Sequence, residues 1–174
     1  MKITSLQEYG LRCLLQLAVA KDMGPQRTTA IAEKEGLSRD YVEKILFQLR
    51  KIHIVKSIRG VNGGYVLDKD PDKISIGEVF QALSEQKVRI NRIKTDLCKQ
   101  FPGKENECVH LSQCAIRMLW SMIMHQVYGV LNHLPLSFLV GTEAEVQVRI
   151  LEIMQKRNII PLPTMKSYRE VEVV

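Results

Sequence analysis

The chain has 174 residues, 45% of them hydrophobic and 25% charged, with few glycines and prolines. That is long enough to bury a core, and too apolar and varied for a disordered, collagen-like or low-complexity protein. Twenty-five basic residues against nineteen acidic ones give a net charge of +6, with 12 basic against 8 acidic residues in positions 1–70, which points to a polyanionic partner.

Residues 5–20 read as a helix that opens on Ser5-x-x-Glu8, a capping-box spacing, and carries Leu6, Tyr9, Cys13, Leu14 and Leu17 along one face. After Gly24-Pro25, Thr28 or Thr29 is placed to cap a short helix that runs to Glu35 and stops at Gly36. Ser38 then caps a third helix. Its Val42, Ile45, Leu46, Leu49 and Ile52 form an apolar stripe, while Arg39, Asp40, Tyr41, Glu43, Lys44 and Gln48 occupy the other face. Two helices joined by a tight glycine turn, the second apolar on one side and polar on the other, predict a helix-turn-helix.

Residues 54–59 and 65–68 read as two short strands around Gly60-Val61-Asn62-Gly63-Gly64, a hairpin that would serve as the wing. Ser75-x-x-Glu78 begins a helix through Leu83 with Ile76, Val79, Phe80 and Leu83 inward. A basic segment follows with Lys87, Arg89, Arg92 and Lys94, then a loop from Cys98 to Cys114 without a clear period. Residues 113–134 are apolar nearly all round. The stretch from Met118 to Thr142 lacks charged residues, but His125, Gln126, Asn132, His133 and Pro135 interrupt it, so a helix shared between two subunits fits better than a membrane span. Pro135 ends that helix, Ser137 caps a short turn, and residues 143–157 form a last helix with Val146, Ile150, Ile153 and Met154 inward. Val171 to Val174 could add a strand.

The expected fold is therefore mainly α: a winged helix-turn-helix DNA-binding domain over residues 1–84, a loop region over 85–115, a long dimerisation helix and turn over 116–142, and a C-terminal extension over 143–174. The chain carries no HExxH, P-loop or dinucleotide fingerprint, so an enzyme is not expected. No basic-then-apolar leader opens it, so a cytoplasmic location is expected, where metal or redox chemistry outranks structural disulfides for the four cysteines.

Three of those cysteines, Cys98, Cys108 and Cys114, lie in one pliable loop. Soft thiolates suit iron-sulfur iron, and they equally suit a structural zinc with His110 as fourth ligand. Cys13 sits among the apolar positions of the first helix and reads as a small buried side chain. His110, His125 and His133 otherwise read as packing or surface residues. On the third helix, Arg39, Tyr41, Glu43 and Lys44 are placed to meet base edges, where Arg can read guanine and Glu can accept from cytosine. Arg50, Lys51 and Lys56 suit phosphates, and Arg59 and Asn62 on the wing suit the minor groove.

Leu6-Gln7-Glu8-Tyr9-Gly10-Leu11-Arg12, Leu37-Ser38-Arg39-Asp40-Tyr41-Val42-Glu43-Lys44-Ile45-Leu46, Arg59-Gly60-Val61-Asn62-Gly63-Gly64-Tyr65 and Ile74-Ser75-Ile76-Gly77-Glu78-Val79 carry a specific likeness. Over residues 1 to about 142 the chain resembles the Rrf-type winged-helix regulators, the family of IscR and NsrR. The resemblance implies a bacterial transcription regulator, in the first place a repressor, acting as a homodimer on a palindromic double-stranded operator. It also implies an iron-sulfur cluster, [4Fe-4S] or [2Fe-2S], on Cys98, Cys108 and Cys114, sensing nitric oxide, redox state or iron-sulfur status. The family's cluster-binding members place three cysteines in the loop before the long helix, as here. Two features depart from the IscR pattern: nine residues separate Cys98 from Cys108, a wider gap, and Arg117 stands where the ligand histidine would be. The NsrR-like pattern instead implies Glu8 of the partner subunit as fourth ligand, whereas the residues alone read Glu8 as part of a capping box. A cluster-free regulator of the same fold, sensing thiol oxidation, a metabolite or a partner protein, and a zinc-stabilised interaction module are the rival expectations.

Overall fold

The structure, a computed structural model, describes residues 3–84 and 114–156. It divides into two compact units, residues 1–137 and 138–174.

In the first unit, α1 spans Ser5–Val19 and is capped one residue earlier than the sequence predicts. Thr4, not Ser5, closes a capping box with Gln7: the Gln7 backbone N–H donates to Thr4 Oγ1 at 3.3 Å and Gln7 Oε1 accepts from Thr4 N at 3.0 Å. Both frames fit the S/T-x-x-E/Q pattern. Burial decides between them, because the chosen frame turns residue 7 inward, where Gln7 Nε2 donates to Phe80 O at 3.1 Å. A carboxylate in that place would be a buried, unpaired charge costing several kcal/mol.

The second helix, α2 (Thr28–Glu35), starts without the predicted threonine cap. Its N-cap is Arg27, with no side-chain bond, because the Thr28 hydroxyl donates to Glu43 Oε1 at 3.5 Å instead. It ends as expected at Gly36, whose φ of +64° and ψ of 33° are left-handed and favour glycine. The third helix, α3 (Arg39–Lys51), is capped by Ser38 Oγ, which accepts from Tyr41 N at 3.3 Å and contributes about 1 kcal/mol. Val42, Ile45, Leu46 and Leu49 are fully buried on one stripe, as predicted, and Ile52 is half-buried.

Strands β1 (Val55–Ile58) and β2 (Gly64–Leu67) pair antiparallel with Val55 opposite Leu67 and Ile58 opposite Gly64. A third segment, not expected from local spacing, extends the hairpin: Gln26 N donates to Tyr65 O at 2.9 Å and Tyr65 N to Gln26 O at 2.8 Å. Gly64 permits that approach, since a Cβ there would lie 2.5 Å from the Gln26 carbonyl oxygen.

Helix α4 (Ile76–Ala82) buries Ile76, Val79, Phe80 and, just beyond its end, Leu83. Ser75 Oγ accepts from Glu78 N at 3.0 Å, but the Glu78 carboxylate takes Lys69 Nζ at 2.7 Å, so half of the predicted box forms. The long helix α5 spans Ala115–His133, and its C-terminal end joins the core through two main-chain bonds, Ile76 N to Leu134 O at 2.8 Å and Leu136 N to Ile74 O at 2.7 Å. The core on which these helices meet is formed by Leu14, Ile31, Ile45, Leu46, Leu49, Ile74 and Leu83. Each such side chain contributes about 1.5–3 kcal/mol on leaving water.

A 3-10 turn spans Leu136–Leu139, where Ser137 lies inside the turn. In the second unit, α6 (Glu143–Lys156) begins where the Glu145 carboxylate accepts from Thr142 N at 2.7 Å, and Arg149 donates to the Phe138 and Val140 carbonyls, both at 2.8 Å. Val146 and Ile153 are half-buried, but Ile150 is 40% exposed, contrary to the inward face expected for it. The side chain of Met154, and the strand suggested for residues 171–174, lie outside the described residues. Among the described residues, no helix is long and apolar enough to cross a membrane.

Candidate nucleic-acid interface

The polar face of α3 and the hairpin supply every basic residue singled out from the sequence for DNA, and they do so from rigid elements. On α3, buried residues at 42, 45, 46 and 49 fix the opposite stripe, so Asp40, Lys44, Phe47 and Lys51, all exposed, point away from the core at helical spacing.

Arg39 Nε donates to Glu43 Oε1 at 2.8 Å, one turn on along α3. Two of the residues expected to meet base edges are therefore held together in the free protein. Tyr41 is half-buried, its ring edge-on to Tyr9 of α1 with centroids 6.1 Å apart and planes at 81°. Only part of its surface remains for DNA, because packing on α1 takes the rest. Lys44 is exposed.

Arg50 and Lys51 end the helix, where cations also favour the negative end of its dipole. Arg50 Nη1 donates to Ser57 Oγ of β1 at 3.4 Å, linking recognition helix and wing. Lys56 pairs with Asp68 at 3.3 Å. At the wing tip, Arg59 and Asn62 are exposed, with Val61 between them at 90% exposure. The Val61 carbonyl accepts from Arg27 Nη2 at 2.8 Å. That contact ties the tip to the residue before α2.

Of the residues proposed as metal ligands, Cys98, Cys108 and His110 lie outside the described residues, and among the described residues no three His, Cys, Asp or Glu side chains gather as metal ligands would. Cys114 is described. It is the N-cap of α5, half-exposed, and its sulfur accepts from Arg117 N at 3.3 Å. An N–H directed at a ligand sulfur is one of the features that tune an iron-sulfur centre, so the donor fits such a group. Arg117, in place of a ligand histidine, contributes its main-chain N–H to that sulfur.

Glu8 does not take part in the cap of α1. Its carboxylate is half-exposed and accepts from Arg12 Nε at 2.8 Å, which raises the Arg12 pKa. Cys13 is fully buried, and burial, with the Glu35 charge second, pushes its thiol up to about 12, so it is the packing residue the sequence suggested. His125 and His133 are exposed on α5.

Ile116, Met118, Leu119, Trp120, Met122 and Ile123 are all exposed along the N-terminal two-thirds of α5. In contrast, Tyr128 is buried, and Gly77 of α4 lies against Asn132 so closely that no Cβ would fit.

A family model described as Rrf2, iron-dependent transcriptional regulator, matches residues 3–142. The HTH-type transcriptional regulator IscR of Escherichia coli K12 is 28% identical over 173 residues, covering 99% of this chain and 98% of its own. The solved structure of CymR, the global cysteine regulator of B. subtilis, is 32% identical, with a TM-score of 0.61 over 79% of this chain and 94% of that one. T. potens IscR shares the fold, with a TM-score of 0.61 at 23% identity over 95% of this chain and 96% of that one.

Proposed function

The chain belongs to the Rrf2 family of DNA-binding transcription regulators, and from that premise we propose a cytoplasmic bacterial repressor whose operator affinity is set by an iron-sulfur cluster. Its protein ligands are Cys98, Cys108 and Cys114, with Glu8 of the partner subunit as the fourth. When bound, the cluster supplies iron reactive toward nitric oxide and oxidants, and its presence reports iron-sulfur supply. The observation that carries this reading is the Cys114 thiol seated as N-cap of the long helix, a main-chain N–H aimed at its sulfur, in a chain whose preceding sequence holds Cys98 and Cys108.

The protein's own parts divide the work. Two copies, paired along the exposed apolar row of α5, present two α3 helices to successive major grooves about 34 Å apart on an imperfect palindrome. Arg39, Tyr41, Glu43 and Lys44 face the bases, Arg50 and Lys51 the phosphates, and Arg59 and Asn62 the minor groove. A change at Cys114 moves the start of α5 and with it the spacing of the two reading heads.

A second reading is favoured by one specific observation. Glu8 is already engaged by Arg12, as it would be in a cluster-free regulator that senses thiol oxidation, a metabolite or a partner protein. A structural zinc on the three cysteines is the third outcome.

Anaerobic purification with iron, sulfide and zinc measured per chain separates them, on wild type, Cys108→Ala and Glu8→Ala, with operator binding followed before and after nitric oxide. Stoichiometric iron and sulfide lost in Cys108→Ala, with binding that responds to nitric oxide, is the expected result. Zinc, or no metal with intact operator binding, would overturn the cluster and leave the same fold reading DNA by another signal.

A further inference from the structure

Phe47 stands 44% exposed on the outward stripe of α3, with Asp40, Lys44 and Lys51 as its stripe neighbours. It belongs to no apolar patch on this helix: every other large apolar side chain of α3 is buried or half-buried. Helix formation does not explain it either, since phenylalanine is only a middling helix former. What it touches is cationic. The Arg50 guanidinium carbon lies 5.4 Å and Lys51 Nζ 4.4 Å from the ring centroid, both within cation-π range. Arg50 also reaches Ser57 on the wing at 3.4 Å, so the ring is one side of a support that holds Arg50 between helix and hairpin.

We propose that Phe47 is a positioning residue for DNA binding: its ring is a platform that holds Arg50 and Lys51 in place for two phosphates where α3 leaves the major groove. Long cationic side chains lose rotamer freedom when they dock on a phosphate, and a ring that already restrains them reduces that loss. Because phosphate contacts carry no sequence information, the platform raises affinity for operator and non-operator DNA alike. The inference rests on the DNA-binding reading of α3.

The test uses the full-length protein and two probes: one 40-bp random-sequence duplex, and one duplex enriched from a random library for binding to wild type. Phe47→Leu keeps an apolar side chain but removes the π face, and at this exposed site the fold tolerates it. It is expected to weaken both duplexes by a similar factor, about five- to tenfold, while Phe47→Trp stays within about twofold of wild type. Lys51→Ala removes one phosphate contact per subunit and should lower the salt dependence of the dimer's binding by about two units, whereas Phe47→Leu should leave it nearly unchanged, since the charges remain. In an Arg50→Ala/Lys51→Ala background, Phe47→Leu should cost nothing further.

Phe47→Leu binding like wild type overturns the platform. So does a loss confined to the enriched duplex, which would mean that the ring reads a thymine methyl, and so does a full loss in the double-alanine background. Failure of wild type to enrich any duplex from the library, with no binding of the random-sequence duplex, would overturn the DNA-binding reading itself, a result distinct from all of these.

Discussion

The carboxylate of Glu43 and the guanidinium of Arg39 meet at 2.8 Å on the exposed face of α3, so neither is free to face DNA without releasing the other. Exposed i,i+4 pairs contribute only about 0.3–0.5 kcal/mol, small against the 1–3 kcal/mol of a good base contact, so DNA separates them at little cost. If both side chains face bases, as proposed, the pair would act as a filter: a base pair that satisfies only Arg39 would leave Glu43 near phosphates with only the Thr28 hydroxyl beside it. Glu43→Ala is therefore expected to leave the melting temperature within a degree or two of wild type while relaxing discrimination at the base pair it faces. Sequencing of duplexes selected by wild type and variant checks this, and an unchanged preference would remove Glu43 from the reading set.

Glu8 and Arg12 form the corresponding pair at the proposed cluster site. If Glu8 is a ligand, Arg12 competes with iron for its carboxylate. Arg12→Ala should then slow the loss of iron to a chelator under anaerobic conditions, and Glu8→Ala should speed it, each by a few-fold. Equal loss rates in all three proteins would leave Glu8 with its arginine and without a role at the cluster.

The close approach of Gln26 to β2 rests on Gly64, where a Cβ would meet main-chain atoms that have no freedom to swing aside. Gly64→Ala is expected to break the Gln26–Tyr65 pairing, lower stability by about 1–3 kcal/mol, and weaken operator binding more than its effect on stability explains, because Arg27 and the Val61 carbonyl hold the tip from the same side. Urea unfolding and DNA titration on the same sample separate the two effects.

Buried Cys13 has a thiol raised to about 12 chiefly by burial. The folded state therefore keeps it protonated over a range in which the unfolded chain ionises it. Its contribution to stability is complete below about pH 8.5 and is lost as pH rises through the folded value near 12. The count of thiols reacting with an aromatic disulfide at pH 8 should be the same in wild type and Cys13→Ser while the proteins are folded, and should differ by one after denaturation. A difference in the folded proteins would show that α1 opens.

The apolar row on α5 gives a prediction about assembly. Replacing Trp120 by Glu puts a charge in the middle of Leu119, Met122 and Ile123, and sedimentation should show a shift toward monomer with the far-UV spectrum of the reader domain preserved. A Trp120→Glu protein that sediments like wild type would move the subunit contact off this face.

How much of this could be read beforehand follows from what each feature depends on. The α3 stripe, the Gly36 stop and the Ser38 cap depend on local spacing, and all stand where the sequence puts them. The α1 cap was displaced by one residue because Thr4-x-x-Gln7 and Ser5-x-x-Glu8 obey the same local rule, and only the distant Phe80 carbonyl separates them. The Gln26–Tyr65 bridge and the Arg27–Val61 bond span long stretches of chain and use main-chain atoms on one side or both, so no side-chain pattern announces them. Phe47 belongs to neither the apolar stripe nor the polar face that spacing assigns to this helix. Its exposure became visible only once the buried stripe had been fixed by packing.

Beside the packing of Gly77 on Asn132, the joint between α5 and the reader domain includes two bonds between the main-chain groups of Ile74, Ile76, Leu134 and Leu136. Peptide groups are the same whatever side chains they carry, so those two bonds place little demand on the identity of residues farther up the helix. On the proposed reading, the sensing end could therefore change, toward a cluster, a reactive thiol or a docking partner, without altering those two bonds to the part that reads DNA.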